Sequence, residues 1–242
     1  MTGRPAPRAI RVSRGRAIAG TAALGAVALL AGCASRVAPR VPATPAQAAA
    51  VLPKWQAFRD GILALPPAER FYDVRASRSM FSQSFVVAVR DDPGRSLLVV
   101  VEGPLGVAVA RASWDGGRML VERLDSPARE RGGAHEETLA SFGVPLPAKA
   151  VSTLLVGIPE VSPPEGVEMD GRRTWLSWDG GRVACQIEPS MARPVRAVFR
   201  QGRRRVEIRF AEWRAGMPSR IAIEISGGGR ADLVLRPPEG ES

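Results

Sequence analysis

The chain has 242 residues, of which 45% are hydrophobic, 5% aromatic and 24% charged, and its formal net charge at pH 7 is +10. Residues 1–32 carry five arginines and no acidic residue, so the remaining 210 residues have a formal charge of +5. A nucleic-acid-binding face needs clustered basic residues with stacking aromatics. With so few aromatics and half of the basic excess in one terminal segment, we expect no nucleic-acid partner.

The N-terminus predicts export. Arginines are concentrated in residues 1–16, and residues 17–31 contain only Ala, Ile, Gly, Thr, Leu and Val. This apolar run is shorter than the roughly 20 residues that a membrane span needs, and it ends at small residues as a cleavage site does. Residues 1–32 are therefore predicted to be a signal peptide.

The four residues that end this segment, Leu30-Ala31-Gly32-Cys33, resemble the bacterial lipobox. That resemblance implies that the Cys33 thiol is alkylated with diacylglycerol, that the chain is cut before it, and that the new N-terminus is acylated. Several acyl chains on one residue anchor a protein stably without a membrane span. Ala34, in place of Asp, implies sorting to the outer membrane under the enteric rule, with the protein facing the periplasm. Cys185 is then the remaining thiol, which excludes an intramolecular disulfide.

The chain after the lipidated cysteine divides into three parts. Residues 33–50 are rich in Ala and Pro and read as a linker that reaches roughly 50 Å when extended. Residues 51–236 are predicted to form one domain, and residues 237–242 a tail. The domain begins with an amphipathic helix, because apolar residues recur at intervals of three and four from Leu52 to Leu65, where Pro66-Pro67 stops the pattern.

Strands follow in two blocks with turn residues between them, which predicts antiparallel hairpins. Ser-Trp-Asp-Gly-Gly-Arg occurs once in each block, at 113–118 and 177–182, and we interpret it as turn chemistry because Asp-Gly supplies positive φ angles. Helical segments are predicted between the blocks at 135–142 and 148–156. The predicted strands are 85–90, 96–102, 107–112 and 118–124 in the first block, and 174–178, 182–188, 195–200, 203–213, 220–225 and 231–236 in the second.

Several predicted strands present one apolar face, which the helices must cover. Cys185 alternates with Val183 and Ile187 on such a face, so we expect a buried, inert thiol. Alternation does not say which apolar residues contact the helices and which contact a ligand. The candidate cavity-lining residues are Val99, Val101, Val109, Val206, Ile208, Phe210, Ile221 and Ile223.

Three short motifs, in order, resemble those of the LolB outer-membrane lipoprotein receptor family, within the LolA/LolB-like group of half-barrel carriers. They are Pro104-Leu105-Gly106, Val144-Pro145-Leu146-Pro147 leading to Leu154-Leu155-Val156-Gly157-Ile158-Pro159, and Met217-Pro218. The resemblance implies a mainly β fold with a few helices. It implies one highly curved antiparallel sheet, an incomplete half-barrel of about 10 or 11 strands, with helices plugging its concave face.

In that family a leucine on the first of these hairpin loops is implicated in membrane insertion, and Leu105 matches it. A leucine that enters lipid gains roughly 1.5–3 kcal/mol over one left in water. The alternative is that Leu105 folds back onto the domain. We therefore assign Pro104, Leu105 and Gly106 as a membrane-insertion loop by resemblance.

No catalytic or cofactor site is predicted. His135 is the single histidine and has no second ligand at metal-site spacing, and no Gly-x-Ser-x-Gly elbow or Gly-rich phosphate loop occurs. We expect a non-enzymatic, monomeric carrier without cofactor or metal. It would receive lipoprotein acyl chains from a periplasmic carrier protein and help insert lipoproteins into the outer membrane.

Two alternatives stay open at this point. One is a structural or regulatory envelope lipoprotein that binds a protein partner through the same sheet and has a fully packed interior. The other is a carrier of a different lipid or of a small apolar ligand.

Overall fold

The computed structural model describes residues 39–103, 106–117, 119–124, 146 and 148–237. Within these ranges thirteen strands form a single antiparallel sheet. In chain order they are β1 (Val41–Pro42), β2 (Ala68–Arg78), β3 (Phe81–Asp92), β4 (Ser96–Glu102), β5 (Ala108–Trp114), β6 (Met119–Arg123), β7 (Gly166–Asp170), β8 (Arg173–Trp178), β9 (Val183–Ile187), β10 (Pro194–Gln201), β11 (Arg204–Arg214), β12 (Met217–Ile225) and β13 (Gly229–Leu235).

The sheet consists of two meanders. Strands β2 to β6 follow one another, as do β7 to β13, and the two runs are joined where β13 pairs with β2. The edge strands are β1 and β6, so the sheet is an open half-barrel rather than a closed barrel. This confirms the predicted fold class, including the two blocks of strands.

The sequence underestimated the number of strands, because β1, β2 and β7 were not predicted. β2 carries five charged residues among eleven, and β7 has two acidic residues among five, so neither shows a clear apolar alternation. β1 has two residues and includes Pro42, which an edge strand tolerates. β2 forms because it pairs with β13 and β3, and β7 forms because it pairs with β8. This pairing stabilises an extended backbone that the local sequence alone does not favour.

The first helix, α1 (Pro45–Leu63), begins seven residues before the predicted start at Leu52. Thr44 caps it: its Oγ1 accepts a hydrogen bond from the Gln47 amide at 3.3 Å, and the Gln47 side chain accepts one from the Thr44 amide at 2.8 Å. Residues 46–50, four of which are alanines, fall in the predicted linker, but a capped and alanine-rich segment favours helix.

The linker is therefore shorter than predicted. The compact unit begins at Pro39, not at residue 51. The chain is held there by β1 and by Arg40, whose guanidinium lies 3.5 Å from the centre of the Trp175 ring and 3.7 Å from the Glu168 carboxylate. The six residue steps from Cys33 to Pro39 span at most about 22 Å, in place of the 50 Å expected for a long linker.

The second helix, α2 (Ala148–Leu154), lies between the two meanders and confirms the predicted helix at 148–156. Its C-terminus is a Schellman motif, with the Ile158 amide bonded to the Thr153 carbonyl at 2.8 Å and the Gly157 amide to the Leu154 carbonyl at 3.0 Å. Gly157 has the positive φ of +88° that this motif requires. The helix predicted at 135–142 lies outside the described residues.

Both copies of the repeated hexapeptide form turns, as predicted. Gly116 has φ +88°, and the amide of Gly117 donates to Asp115 Oδ1 at 3.0 Å in the β5–β6 connection. In the β8–β9 connection Asp179, Gly180 and Gly181 all have positive φ. The repetition therefore has a local backbone cause.

Candidate functional site

One face of the sheet is largely apolar, and we call it the core face, the face on which α1 and α2 pack. Paired residues place Phe210 beside Ile221, Ile221 beside Leu233, and Leu233 beside Val74. All four side chains are buried in the main hydrophobic cluster. Because side chains alternate along each strand, the charged residues between them point to the other face.

Helix α1 covers the part of the core face formed by β8 to β11. Trp55, with 1% of its surface exposed, makes an edge contact with Trp178 at 5.9 Å between ring centres. One turn later, Phe58 makes an edge contact with Trp213 at 5.8 Å. This half of the core face is tightly filled by large aromatic side chains.

The other half of the core face is less deeply buried. Seven apolar side chains on it are half-buried and pack against the main cluster, and we call them the half-buried patch: Phe85, Val99, Val101, Ala112, Ile223, Ile225 and Ala231.

Small residues are frequent in this region. Ala112 pairs with Val99, Ala110 with Val101, and Ala231 with Ile223 and Ala76. An alanine fills much less volume than the tryptophans opposite α1. The half-buried patch is thus the part of the core face best suited to accept an apolar guest.

The predicted cavity-lining residues fall into two groups. Val206, Ile208, Phe210 and Ile221 are buried in the main cluster. Val99, Val101 and Ile223 belong to the half-buried patch. The structure thus brings these seven together on the core face, and three of them are half-buried.

Val109 differs from the other candidates. Ala110 pairs with Val101 and Ala112 with Val99, so Ala110 and Ala112 face the core while Val109 faces the opposite side. From the sequence, Val109 of the predicted strand 107–112 is among the candidate cavity-lining residues. A register shift between Val101 and Glu102 and pairing with β4 select the alanines, which are the residues that sequence reasoning missed.

The hairpin assigned to membrane insertion connects β4 to β5. It is closed by hydrogen bonds from the Gly103 amide to the Val107 carbonyl at 2.9 Å and from the Gly106 amide to the Gly103 carbonyl at 3.2 Å. Gly106 has φ +71°, and the side chain of Val107 is exposed. Pro104 and Leu105 lie outside the described residues, as does Cys33.

The core face also carries a buried ion pair near one end of β2 and β3, where Arg70 bonds to Asp91. Burial raises the pKa of the Asp91 carboxyl, and the Arg70 guanidinium acts against that shift. Burial likewise raises the pKa of the neighbouring Tyr72 to about 12, so its hydroxyl stays protonated at neutral pH. None of these groups adjoins a nucleophile or metal cluster within the described chain, where no set of three potential metal ligands occurs.

Cys185 is a free, fully buried thiol on the core face, as predicted. Burial raises the pKa of this thiol, which therefore stays protonated under physiological conditions.

The opposite face of the sheet is charged. Glu207 accepts hydrogen bonds from Arg196 at 2.5 Å, Arg205 at 2.7 Å and Arg209 at 3.0 Å. Burial alone would raise the pKa of Glu207, but these three guanidinium groups outweigh it and hold the pKa below its ordinary value.

A depression of about 630 Å³ lies on the same side, lined by charged residues that include Asp73 and Asp232 and by the apolar side chains of Phe85, Val86 and Val234. Some of its charged groups are engaged in ion pairs, such as Arg236 with Asp73 at 2.6 Å and Arg230 with Asp232 at 3.0 Å.

Among the described residues, no helix has the length and apolar character to cross a membrane. No protein-family model and no curated protein matches the chain. Solved structures do match it. A LolA superfamily protein from Nitrosomonas europaea superposes with a TM-score of 0.52 and 13% identity over 77% of this chain and 92% of that one.

The chain has a LolA-like fold. A DUF1329 family protein from Desulfovibrio piger superposes with a TM-score of 0.51 and 16% identity, over 79% of this chain and 95% of that one. A protein from Vibrio parahaemolyticus, described as an outer membrane lipoprotein-sorting protein domain, gives a TM-score of 0.44 and 12% identity, over 81% and 95%. At these identities the likeness concerns the fold alone.

Proposed function

We propose that this protein is a lipid-anchored, non-enzymatic carrier or acceptor that binds the acyl chains of lipoproteins and helps place them in the outer membrane. The observation that carries the proposal is the half-buried patch, an apolar and alanine-rich part of the core face in a LolA-like half-barrel. The lipobox at Cys33 supports a location at the outer membrane, and the LolB-like motifs support the choice of lipoproteins as cargo.

Physically, binding consists of transfer of acyl chains between apolar surroundings. Each buried CH₂ group is worth about 0.8 kcal/mol relative to water, so a chain that leaves one carrier needs a continuous apolar surface in the next. Ile223 on β12 pairs with Ala231 on β13, and Phe85 on β3 pairs with Val74 on β2, the strand between β13 and β3. These residues form such a surface, while α1 covers the rest of the core face.

Filling the patch tests the proposal. Ala112→Phe and Ala231→Phe place a large ring among half-buried side chains, and each should reduce the acyl-bearing ligand that native mass spectrometry finds on protein expressed with lipoproteins. Ala211→Phe is the matched control, because Ala211 is exposed on the opposite face beside Phe210. Two positions are used so that a fold defect in one variant leaves the other informative.

The three outcomes are distinct. Retained lipoprotein or acyl ligand that is lost in the patch variants supports the proposal. A ligand mass matching another lipid or a small apolar molecule replaces lipoproteins as cargo, and consistently empty wild-type protein favours the partner-binding alternative.

The membrane-insertion role of Leu105 has its own test. Leu105→Glu places a charge at the loop where resemblance assigns insertion, so the variant should fold and bind cargo but fail to deliver it to membranes. Normal delivery by Leu105→Glu would count heavily against this assignment.

A further inference from the structure

The hairpin that joins β2 to β3 exposes two large apolar side chains at its tip. Arg78 pairs with Phe81, so the turn consists of Ser79 and Met80 alone. Met80 is 96% exposed and Phe81 80% exposed. Side chains this exposed contribute little to the hydrophobic core, so packing does not account for them.

The tip also extends past its neighbour in the sheet. Pairing of β3 with β4 ends at Val86 and Glu102, which leaves residues 81–85 of β3 without a partner in β4. On the other side, β13 pairs with β2 up to Gly229 and Arg78. The hairpin is thus paired with β13 along the whole of β2, and on its other side it extends beyond the end of β4.

The charge next to this tip is mainly basic. Arg78 adjoins the turn, Arg75 lies further along β2, and Arg230 lies opposite Ser77 on β13, with one acidic residue, Asp232, opposite Arg75. Arg75 and Arg78 are exposed, and Arg78 is directly next to the turn. An apolar tip flanked by arginine suits the surface of a bilayer with anionic headgroups, where the side chains enter the apolar region and the guanidinium groups stay at the phosphates.

We propose that the β2–β3 hairpin is a lipid-contact element that inserts Met80 and Phe81 into an anionic bilayer surface. It is a different hairpin from the β4–β5 loop that contains Leu105. The basic residues beside the tip and the predicted lipid anchor favour this occupant over a protein partner; the second of these rests on the proposed function, in which a lipidated Cys33 holds Pro39, the start of the compact unit, within about 22 Å of the membrane. A bilayer also needs no complementary shape around two protruding side chains.

The hairpin has a consequence for cargo, which rests on the proposed function. Phe81, Phe85, Val87 and Val89 all occupy odd-numbered positions of β3, and every second residue of a strand faces the same side. Phe81 and Phe85 therefore lie on the core face with Val87 and Val89. The lipid-contacting tip therefore lies on the same face of the sheet as the half-buried patch.

The test places a probe at the tip of the full-length protein. Met80→Cys is labelled with an environment-sensitive fluorophore and reconstituted in vesicles of phosphatidylethanolamine and phosphatidylglycerol at a ratio of 3:1. Cys185 is buried and does not compete for the label, and unlabelled parent protein measures any reaction at Cys33. Met191→Cys is the control, since Met191 is an exposed methionine in the β9–β10 connection.

We expect blue-shifted emission at Met80 and quenching by spin-labelled lipid at least about three-fold greater than at Met191. Phe81→Ser in the labelled protein, or replacement of phosphatidylglycerol by phosphatidylcholine, should each lower that quenching about two-fold or more. Water-like emission at Met80, or equal quenching at both positions, overturns the proposal. Shielding of the probe only after envelope proteins are added also overturns it, in favour of a protein partner.

This experiment is separable from the test of acyl binding. If the protein is empty in native mass spectrometry but the probe at Met80 is quenched, the carrier function is refuted and lipid contact by the hairpin is supported. If the protein retains an acyl ligand but the probe is not quenched, lipid contact by the hairpin is refuted and the carrier function is supported.

Discussion

Replacing Gly157 with alanine should destabilise the fold more than an ordinary glycine substitution does. Gly157 ends α2 at φ +88°, and a Cβ there would lie 2.6 Å from Trp213 Cη2 and 3.2 Å from Cζ3. Carbon atoms in contact normally lie about 3.5–4.0 Å apart, so the ring or the loop must move by about 1 Å. Trp213 is not free to do so, because Phe58 and Phe210 flank it at 5.8 and 6.3 Å.

Two costs add at this position. The positive φ costs alanine about 1 kcal/mol relative to glycine, and forcing a methyl group against a packed ring costs about 1–3 kcal/mol more. We therefore expect Gly157→Ala to lower the free energy of unfolding by about 2–4 kcal/mol. The measurement is urea unfolding at 25 °C followed by tryptophan fluorescence.

Gly216→Ala is the matched control. Gly216 has a similar φ of +81°, but no heavy atom lies within 4 Å of a Cβ built there, so only the conformational cost applies. In a double-mutant cycle, Trp213→Leu should reduce the loss caused by Gly157→Ala to the value of the control. If Gly157→Ala costs no more than Gly216→Ala, or if Trp213→Leu leaves its cost unchanged, the contact between this loop and Trp213 is not as described.

Three further predictions concern buried groups. Glu207→Gln should lower the free energy of unfolding by about 1 kcal/mol at pH 7. The difference should begin to shrink as pH falls below about 4, the ordinary range of a Glu pKa, and should vanish below the lowered pKa of folded Glu207, because the carboxylate loses its stabilisation on protonation. A difference that does not shrink as pH falls through this range would contradict this. Trp55→Ala should lower the free energy of unfolding by about 3–5 kcal/mol, and Trp55→Phe should lower it much less, since the buried indole Nε1 has no hydrogen-bond partner in the described chain. The measurement is urea unfolding. Similar losses of stability for both variants would show that the indole is hydrogen-bonded. Cys185 should react with a thiol reagent at pH 8 only after denaturant is added, because its thiol is buried and its pKa is raised; rapid reaction of native protein would disprove the burial.

Much of the sheet could be predicted from the sequence because its strands carry their own signal. Val206, Ile208 and Phe210 alternate with charged residues, and Gly-containing turns separate β8 from β9 and each successive pair of strands from β10 to β13. The second helix could be placed for a similar reason, since Gly157 supplies the positive φ that ends it. These features depend on residues near one another in the chain, so local pattern is sufficient.

The candidate site could be predicted only in part. The pattern Val107–Ala112 pointed to Val109, but the small residues Ala110 and Ala112 face the core because β4 sets the register of β5. Likewise, nothing local in β2 marked Tyr72 and Val74 as core residues, since charged residues surround them. Which residues are fully buried and which remain half-buried depends on where α1 lies, and that is decided by contacts such as Trp55 with Trp178 across more than one hundred residues.

The amino-acid sequence by itself predicts the export signal and the lipobox at Cys33, and it determined the period of most strands and the chemistry of the turns, because each depends on neighbouring residues. Only the tertiary structure decided that β13 pairs with β2, that α1 covers one half of the core face, and that Met80 and Phe81 are exposed at a hairpin tip. The physical reason is that burial and register are set by contacts between segments far apart in the chain, and a side chain's role depends on what lies opposite it.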